Sequence, residues 1–220
     1  MCGRFTLHAE DLEILKEYDL TEMPNYDQRY NIAPGQKVLA IIHDGKQKRA
    51  GYLTWGLVPA WSKDLKIGFK MINARSETAH QKPSFKRLMS QKRCLIVADS
   101  FYEWERLDKG KQAKRIALKN RHLFAFAGLW DKWEHEGEEL YTCTVLTRAA
   151  NTFMQPIHDR MPVILPKEKE NEWIEPLKRD PNEVYQFIQG LDIDPLEAYD
   201  VSDYVNSSKN EGQACIAPLI

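Results

Sequence analysis

Long apolar runs are missing from this 220-residue chain. No hydrophobic stretch approaches the roughly 20 residues needed to cross a bilayer, and the first residues are polar and helix-like, unlike a signal peptide. Cytoplasmic residence and no membrane contact are the expectations. Cysteine is scarce: Cys2, Cys94, Cys143 and Cys215 lie far apart, with no CxxC or Cys/His spacing. That argues against a disulfide framework and against a structural zinc, so no metal and no cofactor are expected. Internal repeats, low-complexity tracts and long linkers are absent as well. With 43% apolar residues and six tryptophans, residues 1–220 are expected to fill one core as a single domain, with monomer as the default state.

Net charge is also nearly absent, at −1, which argues against a general nucleic-acid binder. The charge is uneven, however. Lys37 to Arg93 holds 13 Lys/Arg against 3 Asp/Glu, a segment net of +10, leaving −11 for the rest. One basic face on a neutral protein is the footprint expected for a phosphate backbone. Lys46, Lys48 and Arg49 either belong to that face or decorate an exposed hairpin.

Periodicity predicts a short amphipathic helix over Ala9 to Tyr18 with Leu12, Leu15 and, less regularly, Ile14 and Tyr18 on its apolar face. Arg29 to Gly35 reads as a loop closed by Pro34-Gly35. Val38 to His43, the Asp44-Gly45 turn and Lys48 to Val58 read as a hairpin. Further strands are expected at Arg93 to Ala98, Phe101 to Glu105, Arg115 to Leu118, Leu123 to Trp133 and Leu140 to Thr147. Helices are expected around Ser84 to Ser90, Lys167 to Ile174 and Pro181 to Gln189. Short connections between successive strands predict an α+β fold, mostly antiparallel and barrel-like, with peripheral helices.

The residue with the most chemistry is Cys2. Once Met1 is removed, one residue carries both a free α-amine and a thiol, and both can add to one aldehyde carbon to close a five-membered thiazolidine. An α-amine of pKa about 7.7–8.0 is roughly one-tenth neutral at pH 7, far more than a lysine. Taken alone, a cysteine at this position is more often a small buried hydrophobe. Glu103, among the aromatics of Phe101-Tyr102-Glu103-Trp104, is either a desolvated carboxyl suited to proton transfer or a strand residue facing water. His158 lies in the irregular segment Ile157-His158-Asp159-Arg160, where an imidazole can shuttle protons or simply be solvated. If residues 71–75 are extended, Asn73 and Arg75 share a face and suit a sugar and a phosphate oxygen, unless Arg75 pairs with Glu77. Trp55 and Trp61 flank a Gly/Pro-broken loop in the basic segment. Trp55 is the better core residue, and Trp61 the better candidate for stacking on exposed bases.

In this order, Cys2-Gly3-Arg4-Phe5, Arg29 to Gly35, Trp55 to Pro59, Asn73 to Thr78, Arg93 to Ile96, Phe101 to Trp104 and Ile157 to Pro162 resemble the SOS-response-associated peptidase family of abasic-site processing proteins. The resemblance covers nearly the whole chain. It implies a protein that recognises an abasic site in single-stranded DNA and bonds to it through Cys2. It also implies catalytic positions at Cys2, Glu103, His158 and Asn73, with Arg4, Arg75 and Arg160 holding phosphates and Pro34 and Trp61 packing against bases. One departure stands out: the family commonly has Pro-Ala-Asp-Gly where this chain has Val97-Ala98-Asp99-Ser100. Serine takes positive φ less cheaply than glycine, so the turn feeding Glu103 is expected to differ. Two other classes remain open on the residues alone: a thiol amidase or peptidase acting on external peptides, and a non-catalytic single-strand binding module in which Cys2 is packing.

Overall fold

The computed structural model describes residues 2–219; the expectation concerning Met1 lies outside them. In chain order the strands are β1 (Phe5–Leu7), β2 (Arg29–Ile32), β3 (Lys37–His43), β4 (Lys48–Trp55), β5 (Asn73–Arg75), β6 (Arg93–Ala98), β7 (Ser100–Arg106), β8 (Lys111–Leu118), β9 (Phe124–His135), β10 (Glu138–Ala149), β11 (Arg160–Pro162), β12 (Ile164–Leu165) and β13 (Leu196–Asp200). The helices are α1 (Asp11–Tyr18), α2 (Ser76–Ala79), α3 (Pro83–Gln91), α4 (Lys167–Ile174) and α5 (Pro181–Gln189), with short 3₁₀ turns at Leu65–Lys70, Asp203–Asn206 and Gln213–Cys215. No described helix is long and apolar enough to cross a membrane.

Strands β10, β4, β3, β6 and β9 pair in a ring, because β9 also pairs with β10. The ring is a closed barrel, which leaves these strands no open edge. The pairings are antiparallel except β10 with β4 and β10 with β5. A second sheet in the order β13-β8-β7-β1-β2 lies beside it. Helices α3 and α4 pack outside, against β6 and β9. This is the α+β, barrel-like architecture that the short strand connections predict.

The hairpins form where turn chemistry allows. Asp44 Oδ1 accepts from the amides of Lys46 and Gln47 to close β3–β4, and Glu136 (φ 51) with Gly137 (φ 85) closes the twelve-residue pair β9–β10. Positive φ at both central residues matches the right-handed twist of the strands they join. Lys48 and Arg49 pair with Asp19 and Asp44, so these two cations serve the hairpin and its neighbours.

Two expectations are corrected. Residues 29–32 form a strand, because β1 supplies a partner that composition does not reveal. In α1 the less regular pair Ile14 and Tyr18, one turn apart, carries the packing, and Leu12 is 79% exposed instead of buried. Ser100 shows the reason for the departure at 97–100. It opens β7 with ordinary negative φ, and its hydroxyl pairs with Thr6 Oγ1 and accepts from Arg115 Nε. The serine side chain thus has a structural use, and no strained turn precedes Glu103.

The N-terminus is fixed by packing. Phe5 sits in the core against Trp55 (5.2 Å between ring centroids) and Phe126 (5.6 Å). Phe5 pairs with Phe101 on β7, and the Tyr102 amide donates to the Arg4 carbonyl at 2.9 Å. A buried aromatic contributes roughly 1.5–3 kcal/mol, so the residues just before it inherit a defined position.

Candidate active site

Cys2 is fully buried. Its carbonyl accepts a 2.8 Å hydrogen bond from Asn73 Nδ2. Asn73 opens β5, which the parallel pairing with Val145 on β10 holds at the barrel edge. The Asn73 Oδ1 atom is buried and has no hydrogen-bond partner among the described residues, which leaves an acceptor available for an N–H group. Arg75, two residues on, is exposed.

Glu103 projects from β7 and is only 3% exposed, which decides between its two readings: the carboxyl is desolvated. Burial pushes it above the usual carboxylate range, outweighing the electrostatic influence of its neighbours, His158 among them. The Cys2 thiol is in turn pushed far up, by burial first and by Glu103 second. A buried thiol beside a carboxyl is kept protonated. His158 follows a turn in which its amide donates to the Met154 carbonyl at 2.8 Å, and its ring is partly exposed. Cys2, Asn73, Glu103 and His158, distant in sequence, therefore meet at one place.

The positions expected to contact DNA divide into two groups. Trp61 is 64% exposed and Pro34 is partly exposed. Arg4 and Arg160 direct their guanidinium groups inward. Arg4 Nη1 donates to Asn31 Oδ1 (2.7 Å) and to the Val205 carbonyl (2.8 Å), and its carbon lies 5.8 Å from the Trp104 ring centroid. Arg160 forks onto Glu77. Glu77 is thus the partner of Arg160 and not of Arg75.

Sequence reasoning missed Phe69. It is 71% exposed on the 3₁₀ turn Leu65–Lys70, beside Gly35, where an added Cβ would lie 3.6 Å from the ring. The turn is seated by backbone contact between Gly68 and Gly56, the latter at φ +137°. The only signal was a phenylalanine among lysines, a pattern that also fits a core residue.

Among the described residues one group has metal-ligand character, His8, Asp99 and His122. Each already has a protein partner: Asp99 accepts from Thr6 Oγ1 and the His8 amide, His8 Nδ1 lies 2.7 Å from Asp99, and His122 Nδ1 lies 2.7 Å from Glu13. His8, Thr6 and Asp99 tie β1 to the turn before β7, and His122 ties the segment before β9 to α1.

A cysteine near the chain start, buried in a closed-barrel fold beside a desolvated carboxyl that in turn neighbours an imidazole, defines a protein whose own N-terminal segment is placed for covalent chemistry. The chain belongs to the SOS response associated peptidase (SRAP) family, whose model matches residues 1–208. It is 52% identical over 221 residues to the abasic site processing protein YoqW of Bacillus subtilis strain 168, covering 98% of this chain and 99% of that one. It is 31% identical over 227 residues to the abasic site processing protein HMCES of Xenopus tropicalis, covering 89% and 67%. The same fold is seen in the crystal structure of a protein from Bacteroides thetaiotaomicron, at TM-score 0.89 and 23% identity over the full length of both chains. It recurs in a phage-related protein from Bordetella bronchiseptica, at TM-score 0.75 and 29% identity over 96% and 99%.

Proposed function

We propose that this protein senses abasic sites in single-stranded DNA and captures them covalently through Cys2 after Met1 removal, acting on DNA in the cytoplasm. The observation that carries the reading is the convergence on Cys2 of Asn73, which grips its carbonyl, and of Glu103, whose carboxyl is buried beside the thiol. The relatives named for abasic-site processing support it.

An abasic deoxyribose in its open form presents an aldehyde. The Cys2 amine adds to C1′ and water leaves, giving an imine. The thiol then adds to the same carbon, its proton passes to the nitrogen, and a thiazolidine closes with one water lost overall. A carboxyl whose proton affinity is raised by burial can give a proton to the opening sugar ring and take one from the thiol. His158, close enough to act on Glu103, serves the imine steps and the reverse reaction. Asn73 orients Cys2, with its Oδ1 available to the new amine. Arg75 takes a phosphate oxygen, and Trp61, Phe69 and Pro34 stack against bases beside the lesion. Arg4 and Arg160 shape the site from within the protein.

The alternative is a peptidase acting on external peptides. The two readings separate on product: such a peptidase would form no covalent adduct with abasic DNA. The deciding experiment is a denaturing gel of the protein with a labelled single-stranded oligonucleotide whose one uracil has been excised. A heat-resistant shifted band is expected, absent with intact oligonucleotide and with Cys2→Ala. If protein confirmed to begin at Cys2 gives no such band, covalent capture is refuted; a band that persists in Cys2→Ala refutes the assigned nucleophile.

A further inference from the structure

We propose that Glu77 is a positioning residue for this chemistry, holding His158 in one tautomer by locking Arg160; the proposal rests on the functional reading above. His158 and Arg160 are two residues apart, and the Arg160 backbone N–H donates to His158 Nδ1 at 2.9 Å. A ring nitrogen that accepts carries no proton, so this bond places the proton of the neutral imidazole on Nε2.

A second neighbour makes the opposite demand. Asp159 Oδ1 lies 2.8 Å from the same Nδ1, and a carboxylate there favours a protonated Nδ1. Asp159 is 86% exposed, so water weakens its influence. The amide prevails as long as the backbone at 160 stays fixed.

What fixes it is the other end of Arg160. Nη1 donates to Glu77 Oε1 at 2.6 Å, and Nη2 donates to Oε2 at 2.9 Å and to the Thr147 carbonyl at 2.8 Å. The fork-on-fork pair is geometrically specific, and the Arg160 side chain is only 13% exposed. Burial alone would push the Glu77 carboxyl up, but the Arg160 hydrogen bonds, the Arg160 charge and hydrogen bonds from the backbone together hold the group below its usual range. The pair is therefore charged on both sides at neutral pH. Glu77 also stands four residues after Asn73, so one short segment grips Cys2 at one end and, through Arg160, fixes His158 at the other.

The test is Glu77→Gln, which keeps side-chain volume and removes the charge, in protein whose N-terminus is confirmed as Cys2. Two readouts are taken: the long-range ¹H–¹⁵N imidazole spectrum of His158, and the crosslinking rate at saturating single-stranded abasic oligonucleotide. The expected result is a ring shifted from the Nε2–H form toward the Nδ1–H form and a rate roughly tenfold to a hundredfold lower. Thr147→Val, which removes the weaker anchor of the same guanidinium (3.2 Å to Thr147 Oγ1), is expected to shift the ring the same way to a smaller extent. It serves as the reporter if Glu77→Gln does not fold. An unchanged His158 spectrum in a folded variant overturns the proposal whatever the rate does, and so does a shifted spectrum with an unchanged rate. Wild-type protein that forms no crosslink refutes the functional reading itself, a failure visible without any Glu77 variant.

Discussion

Glu103→Gln should stabilise the protein while disabling it. The wild-type carboxyl is 3% exposed, and burial raises its proton affinity in the native state. A raised native pKa means that the folded chain binds the proton more tightly than the unfolded one. The stability from this group is then complete below the unfolded value, 4.5, and is lost as pH rises through the native value. At high pH a carboxylate is costly to hold in this desolvated place, an expense that the amide avoids. The desolvation penalty of a buried polar group, about 1–3 kcal/mol, sets the scale. At roughly 2–4 °C per kcal/mol for a chain of this size, that is a rise of several degrees in Tm. Crosslinking should meanwhile fall by about 10²–10⁴-fold, the range for loss of a general acid–base. Melting both proteins at pH 8, 6 and 4 tests this, because the gap should shrink as acid protonates the wild-type carboxyl in both states. A variant that melts at or below wild type at pH 8, or a gap independent of pH, would refute the reasoning: Glu103 would then be a carboxylate that its neighbours stabilise as an ion.

Three further outcomes are expected. Asn73→Ala removes the 2.8 Å grip on the Cys2 carbonyl and should slow crosslinking roughly tenfold or more at saturating DNA, with residual covalent product still dependent on Cys2. Gly68→Ala places a Cβ 2.8 Å from the Gly56 carbonyl oxygen; a backbone atom cannot rotate away, so a loss of about 1–3 kcal/mol is expected in chemical denaturation. Trp61→Ala and Phe69→Ala, both on exposed rings, should leave Tm unchanged while each weakens binding to single-stranded oligonucleotide by about 1–3 kcal/mol, measured by fluorescence anisotropy.

The readable parts of the fold are those where several residues repeat one message. Helices α4 and α5 have the predicted bounds, since each has a proline at or just before its first turn and a run long enough to show its period. The hairpins β3–β4 and β9–β10 are visible through their Gly-containing turns and long strands. Strands of three residues, such as β1, β5 and β11, are invisible for the opposite reason. A three-residue segment has no period, and what makes it a strand is a partner far away in sequence. The site was legible in its residue types: an aminothiol, an acid among aromatics and a loop histidine each state a chemistry. Burial was legible for Trp55, which fills the core, and Trp61, which is exposed, and not for the charged groups. Only the structure decides that Glu103 is enclosed, that Arg4 and Arg160 turn inward, and that Glu77 chooses Arg160 over Arg75.

The three hydrogen bonds that Asn31 Nδ2 gives to the carbonyls of Val205, Ser207 and Asn210, together with the Arg4 bond to Val205, bear on synthesis as well as stability. The ribosome makes Arg4 and Asn31 long before the carbonyls that hold them, which lie 174 to 201 residues further along the chain. A nascent chain therefore carries β1 and β2 without this brace until the segment from Val205 to Asn210 has emerged.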